Sequence, residues 1–255
     1  MMPIEERQRL ANESPKWMYE FDLGDGIVTP LLAEELRTIH DTRERMIFSR
    51  LDVLLPSLEG LRCLDAGCNE GFFAQQLYQR GAAVDALDIR DVNIRRAKAV
   101  REICGLDPAR LRFSTRDFFD LKAEPETYDV SLFLGLLYHL ENPMGALRLL
   151  HRITRDVAVI ETQFTRQQSA IESGWGQTGI YHQLEASCGL MLEEDAHANR
   201  LASHKVLSFV PNPAAVRLML EAAGFTRIEQ LEPEAGMNPQ YLGNDRGIFF
   251  AFKQS

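Results

Sequence analysis

The densest chemistry in the chain lies in Leu64-Asp65-Ala66-Gly67-Cys68-Asn69-Glu70-Gly71-Phe72-Phe73. An apolar run ends on an acid, turns through two glycines and opens into an amphipathic stretch. Gly67 lets a backbone approach a ligand with no Cβ in the way, and Gly71 eases a helix onto the preceding strand. A dinucleotide site would carry a further glycine where Asn69 stands, with helix amides facing a pyrophosphate. Asp65 before the turn would repel such a group. It suits instead a nucleotide-like ligand with a cationic amino-acid end. A tight structural turn without a ligand is the plainer alternative.

Other residues take places around this turn. Asp88, closing Ala86-Leu87-Asp88-Ile89, has two oxygens for the two hydroxyls of a ribose, or else caps a helix. In Arg116-Asp117-Phe118 a carboxylate and a ring could hold the amine and face of an adenine, though Asp117 also fits a short helix cap. His139, in Gly135-Leu-Leu-Tyr138-His139, titrates near neutrality and is a candidate to take a proton from an acceptor hydroxyl or amine. Tyr138 beside it is a candidate contact. The alternative for His139 is packing within a following helix. Glu161 and Gln163 end a later strand, where they either orient an acceptor or stitch down the segment that follows. The acid run Glu193, Glu194 and Asp195 with His197 reads as a solvated helix face, because metal ligands converge in space; no metal is expected.

The elements that must position these groups alternate. Short apolar runs over 61–66, 83–88, 111–114, 128–134 and 157–162 read as strands, with helical periodicity over 71–80, 92–104 and 143–152 between them. That rhythm implies an α/β fold with a parallel sheet and helices on both faces. A helix is expected over 31–55, another over 213–223 with Asn212 as cap and Gly224 as stop, and then strands over 226–231 and 247–252 forming an antiparallel C-terminal hairpin.

Four parts follow: an arm and helix over 1–56 capping the site, a Rossmann-like core over 57–164, an inserted substrate lid over 165–209 containing some helix, and a completing segment over 210–255. In the arm, aromatics alternate with polar residues over 17–26, so Trp17 and Tyr19 either pack on the domain or cover a ligand. In the insert, which breaks the strand–helix rhythm, Trp175, Tyr181 and His182 suit the wall of an acceptor pocket, with His204 beside it.

Twenty-eight basic against 37 acidic residues give a net charge of −9, which disfavours a phosphate backbone as partner. Four cysteines without a CxxC pair fit buried thiols in a reducing compartment, and no apolar run is long enough to span a bilayer, so the cytoplasm is expected.

Together D-A-G-C-N-E-G, the strand-end Asp88, the R-D-F segment and Y-D-V-S-L-F-L-G-L-L-Y-H-L resemble the class I S-adenosylmethionine (AdoMet)-dependent methyltransferases. The resemblance implies a Rossmann-like, seven-stranded, mostly parallel sheet with AdoMet along the strand carboxyl ends. It places Asp65, Gly67, Asn69 and Gly71 around the methionine moiety, Asp88 and Ile89 at the ribose, and Asp117 and Phe118 at the adenine. Leu134 and Gly135 would lie beside the transferring methyl. L-G-L-L-Y-H-L-E-N-P, W-x-Y-x-F-x-L-G-D-G-x-x-T-P and F-V-P-N-P look similar to a subgroup containing tRNA wobble-uridine carboxymethyl- or methoxy-forming enzymes and small-molecule relatives. The acidic balance favours O- or N-methylation of a small molecule. The alternative is a tRNA-modifying alkyltransferase using AdoMet or carboxy-AdoMet. Oligomeric state is not legible.

Overall fold

The computed structural model describes residues 2–122, 124–166, 171–175, 180–184, 186–192 and 207–253, with 171–175 and 180–184 described as backbone. The chain opens with α1 (Ile4–Ala11) and α2 (Glu35–Leu54), then alternates β1 (Arg62–Ala66), α3 (Phe72–Gln79), β2 (Ala83–Asp88), α4 (Asp91–Ile103), β3 (Leu111–Thr115), β4 (Tyr128–Leu134), α5 (Pro143–Ile153) and β5 (Thr154–Gln163). Four short strands follow: β6 (Ile171–Trp175), β7 (Ile180–Leu184), β8 (Cys188–Leu192) and β9 (Leu207–Pro211). The chain closes with α6 (Pro213–Ala223), β10 (Arg227–Gln230), α7 (Pro239–Leu242) and β11 (Arg246–Phe252).

Seven strands make one sheet in the order β10-β11-β5-β4-β1-β2-β3, with only β11 antiparallel to its neighbours. All seven residues of β4 are buried, as a central strand covered on both faces requires. One apolar cluster lies under α2, α3 and α4, the other under α5 and α6. The chain leaves β1 toward β2 and β3, then returns to the other side through β4. The order thus reverses between β1 and β4, which opens a crevice outside their carboxyl ends.

Local chemistry sets the helix ends. Asn142 and Asn212 accept from the amides of Gly145 and Ala215, both at 2.8 Å, and each stands before a proline in the first turn. Gly224 ends α6 at φ +115°, where a side chain would be strained.

Three expectations are corrected. The helix expected from position 31 starts at Glu35, because Leu31 instead bridges to Trp17 of the arm. The insert is built differently: β6 pairs with β7 and β8 with β9, both antiparallel, and no helix occurs there among the described residues. Hairpins satisfy the backbone without a long amphipathic face, which this polar stretch lacks. Cys104 and Cys188 are exposed, whereas Cys63 and Cys68 are buried as expected. Thr165 N donates to Pro211 O at 3.0 Å and Leu207 N to Glu141 Oε1 at 3.3 Å, tying β9 beside the end of β4.

The first 56 residues share the main core, since Leu10, Trp17, Phe21, Leu23 and Ile47 join its cluster. Their anchor is Glu70 of the glycine turn. Its Oε2 accepts from the amides of Met18 and Tyr19 at 2.8 and 3.1 Å, and its Oε1 pairs with Arg96 Nη1 at 2.8 Å. Arg96 also donates to the carbonyls of Glu13 and Pro15 and lies 4.5 Å over the Trp17 ring. Both charged side chains are fully buried. Breaking one half of such a pair leaves an uncompensated interior charge. Arg96→Met is therefore expected to cost about 3–5 kcal/mol in chemical denaturation and to expose the arm to proteolysis. A loss below about 1 kcal/mol, the scale of a surface pair, would show the arm held by its apolar contacts alone.

Candidate cofactor and acceptor site

The glycine turn runs from the end of β1 into α3. The amides of Gly67 and Cys68 both donate to Leu87 O at 2.9 Å, which binds the turn to the end of β2. Gly67 has φ +73°, which favours glycine, and a Cβ there would press on Leu136 Cδ2 at 3.3 Å. Gly71, at φ +85°, serves packing: a Cβ would lie 2.7 Å from the Phe113 ring. Asn69 takes a left-handed φ of +50° between them.

Two acids face this turn. Asp65 is 2% exposed, and its Oδ2 has no hydrogen-bond partner. Burial raises its carboxyl to about 7, against the pull of the Ala74 amide and with help from the charge of Asp88. Asp88 Oδ2 accepts from Asn69 N at 2.9 Å, while Oδ1 accepts from Arg90 N at 2.8 Å and Asn93 Nδ2 at 3.3 Å. Burial raises its carboxyl and these donors oppose that rise. Asp88 thus welds the glycine turn to the start of α4. Ile89 beside it is 63% exposed, an apolar side chain standing free at the strand end.

The segment after β3 is arranged otherwise than a pair of adenine contacts would need. Asp117 caps a 3-10 turn by accepting from Phe119 N at 2.8 Å. Phe118 is buried, with its ring 5.2 Å from Phe133 in the core, and the exposed ring is that of Phe119. Trp17 is likewise a core residue: it is fully buried under Arg96, and its indole donates to Ala11 O at 3.1 Å.

On the other side of the crevice, β4 ends at Leu134, which is buried, and Gly135, at φ +67°. Gly135 N donates to Glu161 O at 3.0 Å. A Cβ on Gly135 would stand 3.6 Å from both Glu161 Oε2 and the Tyr138 hydroxyl. Glu161 is fully buried, and its Oε1 accepts from Tyr241 Oη and Arg246 Nη1, each at 2.9 Å. Its Oε2 contacts Arg43 Nη2 at 3.3 Å but accepts no aligned hydrogen bond. Burial would raise this carboxyl; the guanidiniums of Arg43 and Arg246 overcome burial and hold it low.

Arg43 also donates to Tyr241 Oη at 3.3 Å and Tyr19 Oη at 3.4 Å. Tyr19 is sandwiched, stacked 5.1 Å from Phe72 on one side and 4.2 Å from His40 on the other. Burial, with Arg43 and Arg246 nearby, lowers the His40 imidazole to about 3, and its buried Nε2 has no partner.

The structure therefore gathers Asp65, Gly67, Asn69 and Asp88 at one end of the crevice, and Gly135, Tyr138, Glu161 and Tyr19 at the other. His139, half-buried in a 3-10 turn, lies with its ring 4.2 Å from that of Tyr138. Gln163 is half-buried, opposite Arg246 in register. The side chains of Trp175, Tyr181 and His182 lie outside the described residues, as do Glu193, Glu194, Asp195, His197 and His204. Sequence reasoning missed His40, Arg43, Tyr241 and Arg246. The first two share an ordinary amphipathic helix, and the last two stand near strand and turn boundaries with no motif around them. Only the unusual arginine opening the final apolar strand marked one of them.

The family described as a methyltransferase domain matches residues 38–230. A ubiquinone biosynthesis O-methyltransferase of Methylocella silvestris is 35% identical over 98 residues, covering 38% of this chain and 37% of that protein. A tRNA U34 carboxymethyltransferase of Methylococcus capsulatus is 27% identical over 194 residues, covering 74% of this chain and 52% of that protein. The matched stretches thus span about half, or less, of those relatives' own lengths. Among solved structures, the N-terminal domain of EvdMO1, crystallised in the presence of S-adenosylhomocysteine (SAH) and D-fucose, superposes with a TM-score of 0.68 at 23% identity, covering 99% of this chain and 97% of that one. The sheet order, the glycine turn with its two acids and the family match lead to one assignment: the chain belongs to the family of AdoMet-dependent methyltransferase domains.

Proposed function

We propose that this protein transfers a methyl group from AdoMet to an oxygen or nitrogen of a small molecule. The observation that carries the reading is the unpartnered Asp65 Oδ2, buried at the end of the strand that runs into the glycine turn. A buried carboxylate oxygen without a donor costs free energy, and the ammonium of an amino-acid ligand satisfies it. The residues present therefore fit the cofactor. Asp65, Gly67 and Asn69 would surround its methionine end with Gly71 packing the turn behind them, Asp88 and Ile89 would take the ribose, and of the segment at Asp117 and Phe118 only the exposed edge would border the adenine. When bound, the cofactor supplies a methyl on a sulfonium. The chain's own part is to orient the acceptor and to exclude water, and orientation alone is worth roughly 7–11 kcal/mol.

Leu134, Gly135 and Tyr138 border the acceptor side, with Glu161 and Tyr19 behind them. His139 is the candidate to take an acceptor proton, and Gln163, Tyr181 and His182 to line the pocket under the insert at 165–209. No metal enters this reading. Among the described residues no helix is long and apolar enough to cross a membrane, and the two buried free thiols support a cytoplasmic location.

The 27% identity to a tRNA U34 carboxymethyltransferase over 74% of the chain favours a second reading, alkylation of a wobble uridine. The net charge of −9 weighs against it. Native mass spectrometry of the purified protein identifies the retained cofactor, and an assay on unmodified tRNA separates the two readings: no labelling of tRNA fits the first, and labelling of its wobble uridine, from AdoMet or carboxy-AdoMet, would replace it.

Two predictions follow from the acids. Asp65 has a raised carboxyl, so in the free protein its contribution to stability is complete below the ordinary carboxylate range and is lost as pH rises through about 7. Binding an ammonium needs the ionised form. SAH affinity measured by titration calorimetry is therefore expected to be several-fold tighter at about pH 8 than at about pH 6, and Asp65→Asn to flatten that dependence. A wild-type profile flat across this range would remove Asp65 from the amino end of the ligand. Asp88→Ala is expected to weaken SAH at least roughly tenfold, the worth of one or two carboxylate hydrogen bonds. Thermal melting run in parallel reports the loss of its bonds to Asn69 and Arg90; unchanged SAH affinity would take Asp88 out of the ribose site.

A further inference from the structure

A cleft of about 520 Å³ opens on the same edge of the sheet, displaced from the glycine turn toward β10 and β11. Met46 of α2 and Asn212, before α6, form two of its walls, and Gln230 and Asn244 supply amides. At its inner end stand Tyr241 and Arg246, the two groups that hold Glu161 Oε1. The side chain of Arg246 is 11% exposed, so it belongs to both the cleft and the buried cluster.

The charge of that cluster is unbalanced. Arg43 and Arg246 bring two guanidiniums to the single carboxylate of Glu161, and His40 beside them is neutral. An interior cation without a counter-charge is costly, and the cleft is the route by which a counter-charge can arrive. Arg246 Nη1 is held by Glu161 and its Nε donates to Gln240 Oε1 at 2.7 Å, which leaves Nη2 to donate to an oxygen of a carboxylate or a phosphate. Glu232 is exposed, where water screens it, while Tyr241 and the Arg246 side chain are largely buried. The amides of Gln230 and Asn244 both donate and accept, which suits a hydroxylated body behind an anionic head.

We propose that this cleft receives the methyl acceptor and that the acceptor carries an anionic group, a carboxylate or a phosphate, paired with Arg246 at the cleft's inner end. The inference rests on the methyltransferase reading and goes beyond it: it names the acceptor's charge and its approach from the β10–β11 side.

The test uses the full chain saturated with SAH, at constant ionic strength. Binding of SAH is measured first; its failure would fault the methyltransferase reading, not the cleft. Benzoate, inorganic phosphate and the neutral benzyl alcohol are then titrated by ligand-observed NMR. Saturable binding of benzoate or phosphate is expected, with benzyl alcohol much weaker. Arg246→Gln is expected to weaken the anion roughly tenfold or more while SAH affinity stays within about twofold. Where Arg246→Gln fails to fold, Gln230→Glu decides: it places a negative charge in the cleft wall and is expected to weaken the same anion several-fold. The proposal is overturned if neither anion binds saturably, if benzyl alcohol binds as well as benzoate, or if anion binding survives both substitutions.

Discussion

Glu70 sits in the middle of a tight turn, where its carboxylate is carried into the interior by the backbone on either side. A carboxylate so placed must be matched there, because water cannot reach it. Arg96 of α4 matches its charge, and the amides of Met18 and Tyr19 fill the rest of its acceptor capacity. Arg96 Nη2 donates in turn to carbonyls of the N-terminal segment. The arm, the glycine turn and α4 are therefore one hydrogen-bonded object. The conformation of the turn, with glycines at positive φ, is fixed by what lies on both sides of it. Tyr19 is delivered to the crevice by the same bonds, since its own amide is one of the donors. From Tyr19 the order extends to His40 and Arg43 of α2, and through Arg43 to Glu161 at the end of β5.

That chain of contacts divides the carboxyl edge of the sheet electrostatically. Asp65 and Asp88 make the end over β1 and β2 acidic. Arg43 and Arg246 make the end over β5 and β11 basic, with Glu161 only partly offsetting them. Gly135 marks the boundary, with no side chain to separate the two halves. A site of this kind discriminates by sign. The proposed reading puts a cationic ligand at the acidic end and an anionic one at the basic end. Because the groups are buried, these preferences act at low effective dielectric and are weakly screened by salt.

The acidic half was legible in the sequence because its residues are neighbours along one strand and one turn. A glycine at a tight turn, an acid before it and another acid ending the next strand are local facts, and local order preserves them. The sheet was legible for the same reason, since each strand announces itself as an apolar run. The basic half was not. Glu161 was named at its strand end, but Arg43, Tyr241 and Arg246 reach it from a helix, a one-turn helix and another strand, and each taken alone looks like a surface residue or a strand boundary. Trp17 misled in the opposite sense. An aromatic in a polar alternation fits a ligand cap as well as an anchor, and only the guanidinium lying on its ring distinguishes the two. The four strands among the insert's described residues were not legible, because they pair with each other and lie outside the seven-stranded sheet.

The unmet polar atoms supply the last step. Buried donors and acceptors without partners cost about 1–3 kcal/mol each, so a fold tolerates them only where something else is gained. Of the seven such side-chain atoms among the described residues, His40 Nε2 and Glu161 Oε2 adjoin Tyr19 and Arg43, and Asp65 Oδ2 lies on the same edge at the end of β1. Apolar side chains of similar size would remove all three costs and leave the sheet intact. The sequence keeps ionisable groups there, and holds them with arginines and tyrosines that are themselves expensive to bury. Such an arrangement is poorly explained as a device for stability, since the same volume packs better without it. It is well explained as a preorganised surface whose missing partners are the donors and acceptors of two ligands. The hydrogen-bonded network around Glu70 holds the arm, the glycine turn and Tyr19 in place while these atoms stay unpartnered.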